Sequence, residues 1–532
     1  MSFKPNDYQQ LSFNDSFGGL TKREQRFLEK SWAKYFGDCI FPAIDETPYA
    51  VLYSEKDSRP NCPVNVQIGA LVLKELTGQS DDEMMLSLMF DARYQYALHT
   101  TSFEEQPISD RTLGRFRERC ATYYSSHGVD LLSATIKSLS GEMAKLMKLD
   151  HSLKRMDSMM VSSNIRKMSR LELLYTVVAD LVREVAGKGE KIPEGLEHYA
   201  QDNDRNQVIY HSKSEDTDSR ITVVLKDAKV LKDYCEPRYD ESSNYQLLIR
   251  VLREQTVEED GKYRLRTKED GGLDSHILQN PADPEATFRE KNGVQNRGYS
   301  ANVVEISGEN GSIVEDFQLE QNTHSDSQFM KESIERMGVQ EEKVTIVADG
   351  AYSGDGIQKL AEQNNIEIVN TNLTGRETAD INGDFEFNED GTRVTGCPGG
   401  HEPKSCSYNK ASGQCVCSFH REHCEACPYR DQCKPKQYAK TCRKTVSKAA
   451  KRRAIQQRGR STDTFKQMVH FRNGVETIPS IMRRKYDVDH MPVRGLIRCR
   501  IWFGLKIGAL NFNKFCRYMQ SLNSCTLATA KP

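Results

Sequence analysis

Residues 343–354 read KVTIVADGAYSG, a stretch that indicates an α/β fold. The apolar run Val344–Ala348 is typical of a strand buried inside a sheet, and it ends at Asp349, which Gly350 follows. In folds that alternate strands and helices, ligand sites usually form at the ends of such strands. Asp349 is therefore a candidate functional carboxylate, and an aspartate that caps the following helix is its structural alternative.

The segments on either side of this strand extend the pattern. Asp157 lies inside KRMDSMMVSSN, an alternating run that predicts a strand. The elements predicted in chain order are a strand at residues 154–164, a hairpin of strands at Gly298–Ser307 and Ser312–Gln321, a helix at about Ser325–Met337, the strand before Asp349, a further helix, and a strand at Ile366–Asn372. Three antiparallel strands followed by helix, strand, helix and strand is the order of a ribonuclease H-like (retroviral integrase-like) core.

Other segments surround and interrupt this core. Apolar residues at helical spacing predict a helical N-terminal domain, and a charged, largely helical insertion at about 168–284 includes a polar stretch, Glu258–Asp274, that predicts a flexible loop. The predicted domains are 1–150, helical and DNA-binding; 151–372, the first part of the core with its insertion; 373–442, a Cys-rich insertion; and 443–520, the basic last part of the core.

Charge is distributed unevenly along the chain. The net charge is -2, yet the segment Lys440–Arg500 holds 17 Lys and Arg against 4 Asp and Glu. Such a segment favours a polyanionic partner, and a solvated basic face is the alternative. No run reaches the roughly 18 to 20 apolar residues of a membrane span, and the first residues lack a secretory signal. We expect a cytoplasmic protein with no membrane partner.

A second group of basic residues lies in the N-terminal domain. SDRT (residues 109–112) follows Pro107 and opens a helix that carries Arg115 and Arg117. A capped helix studded with arginines could enter a DNA groove, whereas an ordinary charged surface helix has the same appearance.

Fifteen cysteines in a cytosolic chain do not predict disulfides, because cellular thiols keep them reduced. Eight of them fall within residues 397–442, where Cys424 and Cys427 have the spacing of zinc ligands. The pairs that could complete a four-ligand site are Cys397 with Cys433, or Cys406 with Cys417. A structural zinc ion is our prediction, and an iron-sulfur cluster or metal-free thiols are the alternatives.

Three carboxylates are candidates for a centre that binds two divalent metal ions. Asp157 sits in mid-strand among methionines, where a buried acid without a partner or a metal is costly. Asp349 ends its strand, and Glu476 lies in the basic segment. Hard cations prefer oxygen ligands, and two ions held together can stabilise both the attacking and the leaving oxygen of a phosphodiester. A solvent-facing strand aspartate and an ordinary surface ion pair are the structural alternatives.

Arginines flank the last acid in FRNGVETIPSIMRRKY. If this stretch is helical, Arg472 lies one turn before Glu476 on the same face, and Arg483 lies two turns beyond it. Guanidiniums for phosphate would then share a face with a carboxylate for metal. Pro479 is tolerated if a helix begins near Glu476, but that arrangement would weaken the one-face argument for Arg472.

These motifs together resemble those of bacterial insertion-sequence transposases with a DDE catalytic triad, in the group that has a cysteine-rich insertion. The matching segments are SDRTLGRFR, KRMDSMMVSSNI, EKNGVQNRGYSANV, NTHSDSQ, VTIVADGAYSG, the cysteines from CPGGH onward, and RNGVETIPSIMRRKYDVDHMPVRGL. The family carries a Tyr, Arg, Glu and Lys signature around the last acid. Arg472 and Glu476 match it, Val469 stands where Tyr is expected, and Arg483 replaces Lys.

The resemblance implies a fold, an activity and partners. Asp157, Asp349 and Glu476 would hold two Mg²⁺ or Mn²⁺ ions that cut double-stranded DNA at transposon ends and join the 3′ ends to target DNA. Contacts to DNA are expected from Arg472, Arg483, Arg484, Arg115 and Arg117. A homodimer is expected because two ends must be brought together. The alternatives are a DNA-binding regulator derived from a transposase, and a ribonuclease H-like nuclease that cuts without joining.

Overall fold

A computed structural model describes residues 1–6, 19–56, 58–100, 108–109, 111–210, 216–291, 293–372 and 377–529, with side chains up to 522. The predicted turn at Pro107 and the residue Asp110 lie outside these ranges. The chain forms two compact units. The first unit consists of Met1–Asp150, Ser158–Ser325 and Ile478–Pro532, and the second unit consists of His151–Asp157 and Asp326–Thr477. The four domain segments predicted from the sequence differ from these units and stay a prediction. No described helix is both long and apolar enough to span a membrane.

The N-terminal part of the first unit is helical. Its helices are α1 (Lys22–Glu29), α2 (Trp32–Tyr35), α3 (Val64–Thr77), α4 (Asp81–Phe90), α5 (Ala92–Ala97), α6 (Thr112–His127) and α7 (Leu131–Leu146). Ser80 and Asp130 cap α4 and α7 with side-chain hydrogen bonds to backbone amides. At α6 the predicted side-chain cap is absent among the described residues, since the cap position is Arg111 and Thr112 bonds to Ser109 instead.

Strand β1 (Leu153–Ser162) follows, and its residues are divided between the two units at Asp157. The predicted helical insertion then contains α8 (Arg170–Gly187), α9 (Asp204–Ile209), α10 (Thr217–Cys235), α11 (Ser243–Gln255), β2 (Thr256–Glu259) and β3 (Lys262–Leu265). Leucines and valines of α8, α10 and α11 bury one another in a hydrophobic core. The polar stretch that predicts a flexible loop instead includes the β2–β3 hairpin, and Asp270 accepts hydrogen bonds from Arg264 and the Thr267 amide just after it.

The first unit also holds a meander of β4 (Thr287–Lys291), β5 (Val294–Gly308) and β6 (Gly311–Gln321). Strand β5 is antiparallel to both β4 and β6, which confirms the predicted hairpin. Gly298 allows β5 to approach β1 closely, since a Cβ there would lie 2.3 Å from the Val161 carbonyl oxygen.

The second unit contains α12 (Asp326–Met337), β7 (Val344–Ala348), α13 (Asp355–Gln363) and β8 (Ile366–Asn370). The first half of β1 pairs with β7, and β7 pairs with β8, all in parallel. The hydrogen-bonded order is β4-β5-β1-β7-β8, with β6 beside β5. This mixed α/β arrangement is consistent with the predicted ribonuclease H-like core.

The remaining elements complete both units. They are β9 (Glu386–Phe387), β10 (Val394–Gly396), β11 (Ser405–Asn409), β12 (Gln414–His420), α14 (Arg421–Glu425), α15 (Arg430–Cys433), β13 (Lys436–Gln437), β14 (Thr441–Val446), α16 (Lys448–Gly459), α17 (Asp463–Asn473), α18 (Thr477–Arg484) and α19 (Leu496–Thr529). The cysteine-rich insertion is thus a small antiparallel sheet in the order β11-β12-β14-β13, joined to β9 and β10 through a buried core that contains Phe385 and Phe419.

Within the first unit, α19 packs against β6 and supplies an unusual hydrogen-bond partner. The buried Asn511 donates from Nδ2 to the Val314 carbonyl at 2.7 Å and accepts from the Val314 amide at 2.9 Å. A side-chain amide therefore satisfies both backbone groups of a strand residue, as a neighbouring strand would. Asn511 also donates to Ser140 on α7 at 2.8 Å.

We expect Asn511→Leu to lower the free energy of unfolding of the first unit by about 3 kcal/mol, because it leaves the buried Val314 amide and carbonyl without partners. Denaturant unfolding followed by circular dichroism would measure the loss. Asn513→Leu on the same helix is the control, since Asn513 has no hydrogen bond among the described side chains. Equal stability of the two variants would contradict this role for Asn511.

Candidate active site

Strand register aligns the two candidate aspartates. The parallel pairing of β1 with β7 sets Leu153 opposite Thr345 and Arg155 opposite Val347. Continued by two residues, the same register sets Asp157 opposite Asp349. Neighbouring strands lie about 4.8 Å apart, so this extended register would bring mid-strand Asp157 beside Asp349, which directly follows β7.

Asp349 sits where β7 turns into a short 3-10 helix. Its side chain accepts a hydrogen bond from the Gly350 amide, so it has the capping role that the sequence left as an alternative. Asn370, at the end of β8, donates from Nδ2 to the Asp349 backbone carbonyl at 2.9 Å. The backbone at the end of β7 is therefore held by these two hydrogen bonds.

A single arginine joins the other two acidic residues. Arg472 donates from Nη2 to Asp157 Oδ1 at 3.1 Å and from Nη1 to Glu476 Oε1. The side chains of Arg472 and Asp157 are 10% and 17% exposed, whereas that of Glu476 is 57% exposed. The Arg472–Asp157 pair is thus poorly screened by water, and Glu476 approaches it from the solvent side.

The backbone around Glu476 explains how Pro479 is accommodated. Helix α17 ends at Asn473, one 3-10 turn covers Gly474–Glu476, and α18 starts at Thr477, so Pro479 occupies the first turn of a new helix. The prediction that such a break would weaken the one-face relation of Arg472 and Glu476 is wrong. The helical turn between the two helices keeps these side chains in contact.

Sequence reasoning missed two residues that hold α17 in place. Arg155 donates to the Phe471 carbonyl at 2.8 Å and lies over the Phe471 ring. Gly474 leaves room for this guanidinium, because a Cβ there would lie 1.9 Å from Arg155 Nη1. The alternation that brings Asp157 to one face of β1 also brings Arg155 to that face, so a signal was present in the sequence.

The chemistry of the acids suits a divalent cation, but the described side chains do not form a ready-made metal site. No group of three or more His, Cys, Asp and Glu residues in the described ranges has such an arrangement. In this state Arg472 supplies the positive charge that faces Asp157 and Glu476.

The other predicted DNA-binding arginines lie in the first unit. Arg483 donates to the Met160 carbonyl at 2.8 Å and pairs with Asp489, and Arg484 is exposed. Arg117 is mostly buried, paired with Asp81 at 2.5 Å and stacked over a tryptophan ring, so its contacts are those of a structural residue. These arginines are therefore not equivalent.

Arg115 has a different setting from Arg117 on the same helix. It lines a cavity of about 490 Å³ together with Arg59 and Arg119, and Arg119 lies over the ring of Tyr53. Arg119 follows Arg115 by one turn of the same helix, whereas sequence reasoning missed Arg59, because Arg59 comes near them only in the fold.

Six of the eight cysteines in the insertion fall into two groups. Cys397, Cys424, Cys427 and Cys433 line one small cavity of about 30 Å³, together with His401 and His423. Cys406 and Cys417 face each other across β11 and β12, with sulfur atoms 3.5 Å apart. Burial raises the pKa of the Cys424 thiol to about 12, so that thiol stays protonated without a metal.

Two family models match the chain. The model described as "Transposase DDE domain" matches residues 396–516, which include Glu476 but neither Asp157 nor Asp349. The model described as "Transposase domain (DUF772)" matches residues 33–119, in the helical N-terminal part. No curated protein and no solved structure matches the chain. These two matches, over residues 33–119 and 396–516, support the resemblance to insertion-sequence DDE transposases found in the sequence.

Proposed function

We propose that this transposase cuts DNA at the ends of its insertion sequence by two-metal-ion hydrolysis and joins the 3′ ends to target DNA. The observation that carries the proposal is the position of the three acids. The register of β1 and β7, extended by two residues, brings Asp157 beside Asp349, and Arg472 links Asp157 to Glu476. A ribonuclease H-like core, which the strand order supports, is part of the proposal.

In this proposal Asp157, Asp349 and Glu476 hold two Mg²⁺ or Mn²⁺ ions. The bound ions would supply the activation of water, and later of a 3′ hydroxyl, and would stabilise the leaving oxygen. The chain's own part is to fix the ligands: Asn370 holds the Asp349 backbone, and Arg155 holds the helix that leads to Glu476. Arg472 would hold Asp157 and Glu476 near each other through its two ion pairs.

The direct test is a cleavage and strand-transfer assay on DNA that bears the element's own ends, with Mg²⁺ or Mn²⁺. Asp349→Asn should remove both products, by at least about 100-fold, because a metal ligand is lost while the size of the side chain is kept. Glu367→Gln is the matched control and should stay active, because Glu367 is a carboxylate on β8 that pairs with Lys343.

The possible results of this assay distinguish a transposase from a nuclease and from a DNA-binding regulator. Cleavage without joined product in the wild type would favour a nuclease that does not transfer strands. Specific binding of the ends with no cleavage would favour a DNA-binding regulator. Full activity of Asp349→Asn would overturn the assignment of this residue.

Arg472 and the metal ions should compete for the same carboxylates. We expect Arg472→Gln to bind Mn²⁺ at least about tenfold more tightly than the wild type in the absence of DNA, because the competing guanidinium is then removed from both acids. Isothermal titration calorimetry would measure this. Lys466→Gln on the same helix, where Lys466 pairs only with exposed Asp463, is the control. Weaker Mn²⁺ binding by Arg472→Gln would contradict the competition.

Double-stranded DNA is the proposed partner, and its contacts would come from both basic regions. Arg115 with Arg59 and Arg119 forms a cationic cavity in the N-terminal part, suited to phosphate. Arg472, Arg483 and Arg484 belong to the basic segment. A homodimer that joins two ends and action in the cytoplasm belong to the same proposal.

The proposal also includes a structural zinc ion in the cysteine-rich insertion, with Cys397, Cys424, Cys427 and Cys433 as ligands. Four thiols around one small cavity fit a soft, closed tetrahedral site, although they would have to close on the ion. The ion would stabilise the fold of the insertion, since its sheet is small and its core contains few large side chains.

Metal analysis of purified protein by mass spectrometry tests this ligand set. We expect about one zinc per chain in the wild type, loss of zinc in Cys424→Ser, and retention in Cys406→Ser, because Cys406 does not line the cavity. Loss of zinc in Cys406→Ser would contradict the ligand set. A zinc-free wild type purified from zinc-supplied cells would contradict the site.

A further inference from the structure

A polar cavity of about 350 Å³ lies in the second unit beside the candidate active site. One wall is the turn after Asp349, where Ser353 donates to the Gly350 carbonyl at 2.6 Å. Asn370 forms part of the lining and donates to the Asp349 backbone carbonyl. The cavity is therefore attached to the same short backbone segment that positions the Asp349 carboxylate.

The opposite wall is one face of α16. Ala449, Arg452, Arg453 and Gln456 line the cavity, and their spacing of three, four and seven residues puts them on one side of a helix. The small Ala449 leaves space, whereas the two arginines bring positive charge.

The two arginines in the cavity lining, Arg452 and Arg453, differ in whether an acidic side chain pairs with them. Arg452 pairs with Asp355, another lining residue, at 3.0 Å. Arg458, elsewhere on α16, pairs with Asp380 and Asp384. For Arg453, which is exposed, no ion pair is found among the described residues. The cavity thus carries one positive charge that no acid of the described chain neutralises.

The lining also limits what can bind. The nine lining residues include no aromatic ring on which a base could stack and no large apolar side chain. Guanidinium, amide and hydroxyl groups match the oxygens of a phosphate and its sugar. The lining therefore suits a sugar-phosphate backbone.

We propose that this cavity binds a phosphate of the DNA strand next to the phosphate that is cut, with Arg453 as its cationic partner. This inference rests on the proposed function, because it takes the strand at Asp349 as its substrate. Arg453 is then a positioning residue: it would hold the strand in line with the acids without contact to the reacting atoms.

Binding measured without divalent metal tests the inference separately from cleavage. The probe is a fluorescent duplex that carries the element's own end, and its dissociation constant is followed over a range of salt concentrations by anisotropy. Arg453→Ala should reduce the size of the slope of log K against log salt by about 0.9, the value for one lost phosphate contact. Lys451→Ala, on the same helix but outside the cavity lining, is the matched control and should leave the contact intact.

A second variant and a second measurement distinguish loss of the phosphate contact from loss of folding. Asp355→Asn should steepen the slope, because it frees the Arg452 guanidinium. Ethylation interference on the same duplex should show a phosphate near the cut site whose modification weakens binding by the wild type and Lys451→Ala but not by Arg453→Ala.

The results have distinct meanings. An unchanged slope and an unchanged interference pattern in Arg453→Ala would overturn the inference, even if the wild type cuts and joins DNA. The predicted binding changes in a protein that never cuts DNA would support the phosphate site and reject the proposed function.

Discussion

The ion pairs of Arg472 are the constraint on which the candidate site depends. Asp157 and Glu476 come from segments far apart in the sequence, and one guanidinium bonds to both. Two acids close together disfavour each other's ionised form unless a cation lies between them. Arg472 therefore holds these two carboxylates of the candidate site near each other. Arg155 supports this arrangement, because it bonds to the last turn of the helix that carries Arg472. Gly474 leaves room for the Arg155 guanidinium.

Much of the core was predictable because its signals are local. The apolar run Val344–Ala348 is a strand with those bounds, and the hairpin strands differ from prediction by a few residues at their ends. The candidate acids could be chosen from their places in these elements. Asn370 could not, because its contact is with a backbone carbonyl of the neighbouring strand segment. Arg117 lies on a helix whose cap and arginines suggested a DNA contact, and in the fold it contacts Asp81 and a tryptophan ring.

Spacing in the cysteine-rich insertion indicated a metal but left the ligands open. The eight thiols offered several combinations, since ligand spacing fixes only neighbours within one turn. The antiparallel sheet separates the choices, as pairing of β11 with β12 brings Cys406 and Cys417 together and leaves four other thiols around a different cavity. Only long-range strand pairing carries this information, so no local pattern could have supplied it.

The bonds of Asn511 to Val314 have a consequence for how the protein is made. The two residues are 197 positions apart, so β6 leaves the ribosome long before its helical partner is synthesised. Until then the sheet has an edge whose amides and carbonyls can pair with another chain. Newly made copies are therefore most prone to aggregate late in translation, and slow synthesis of residues 322–495 would prolong that exposure.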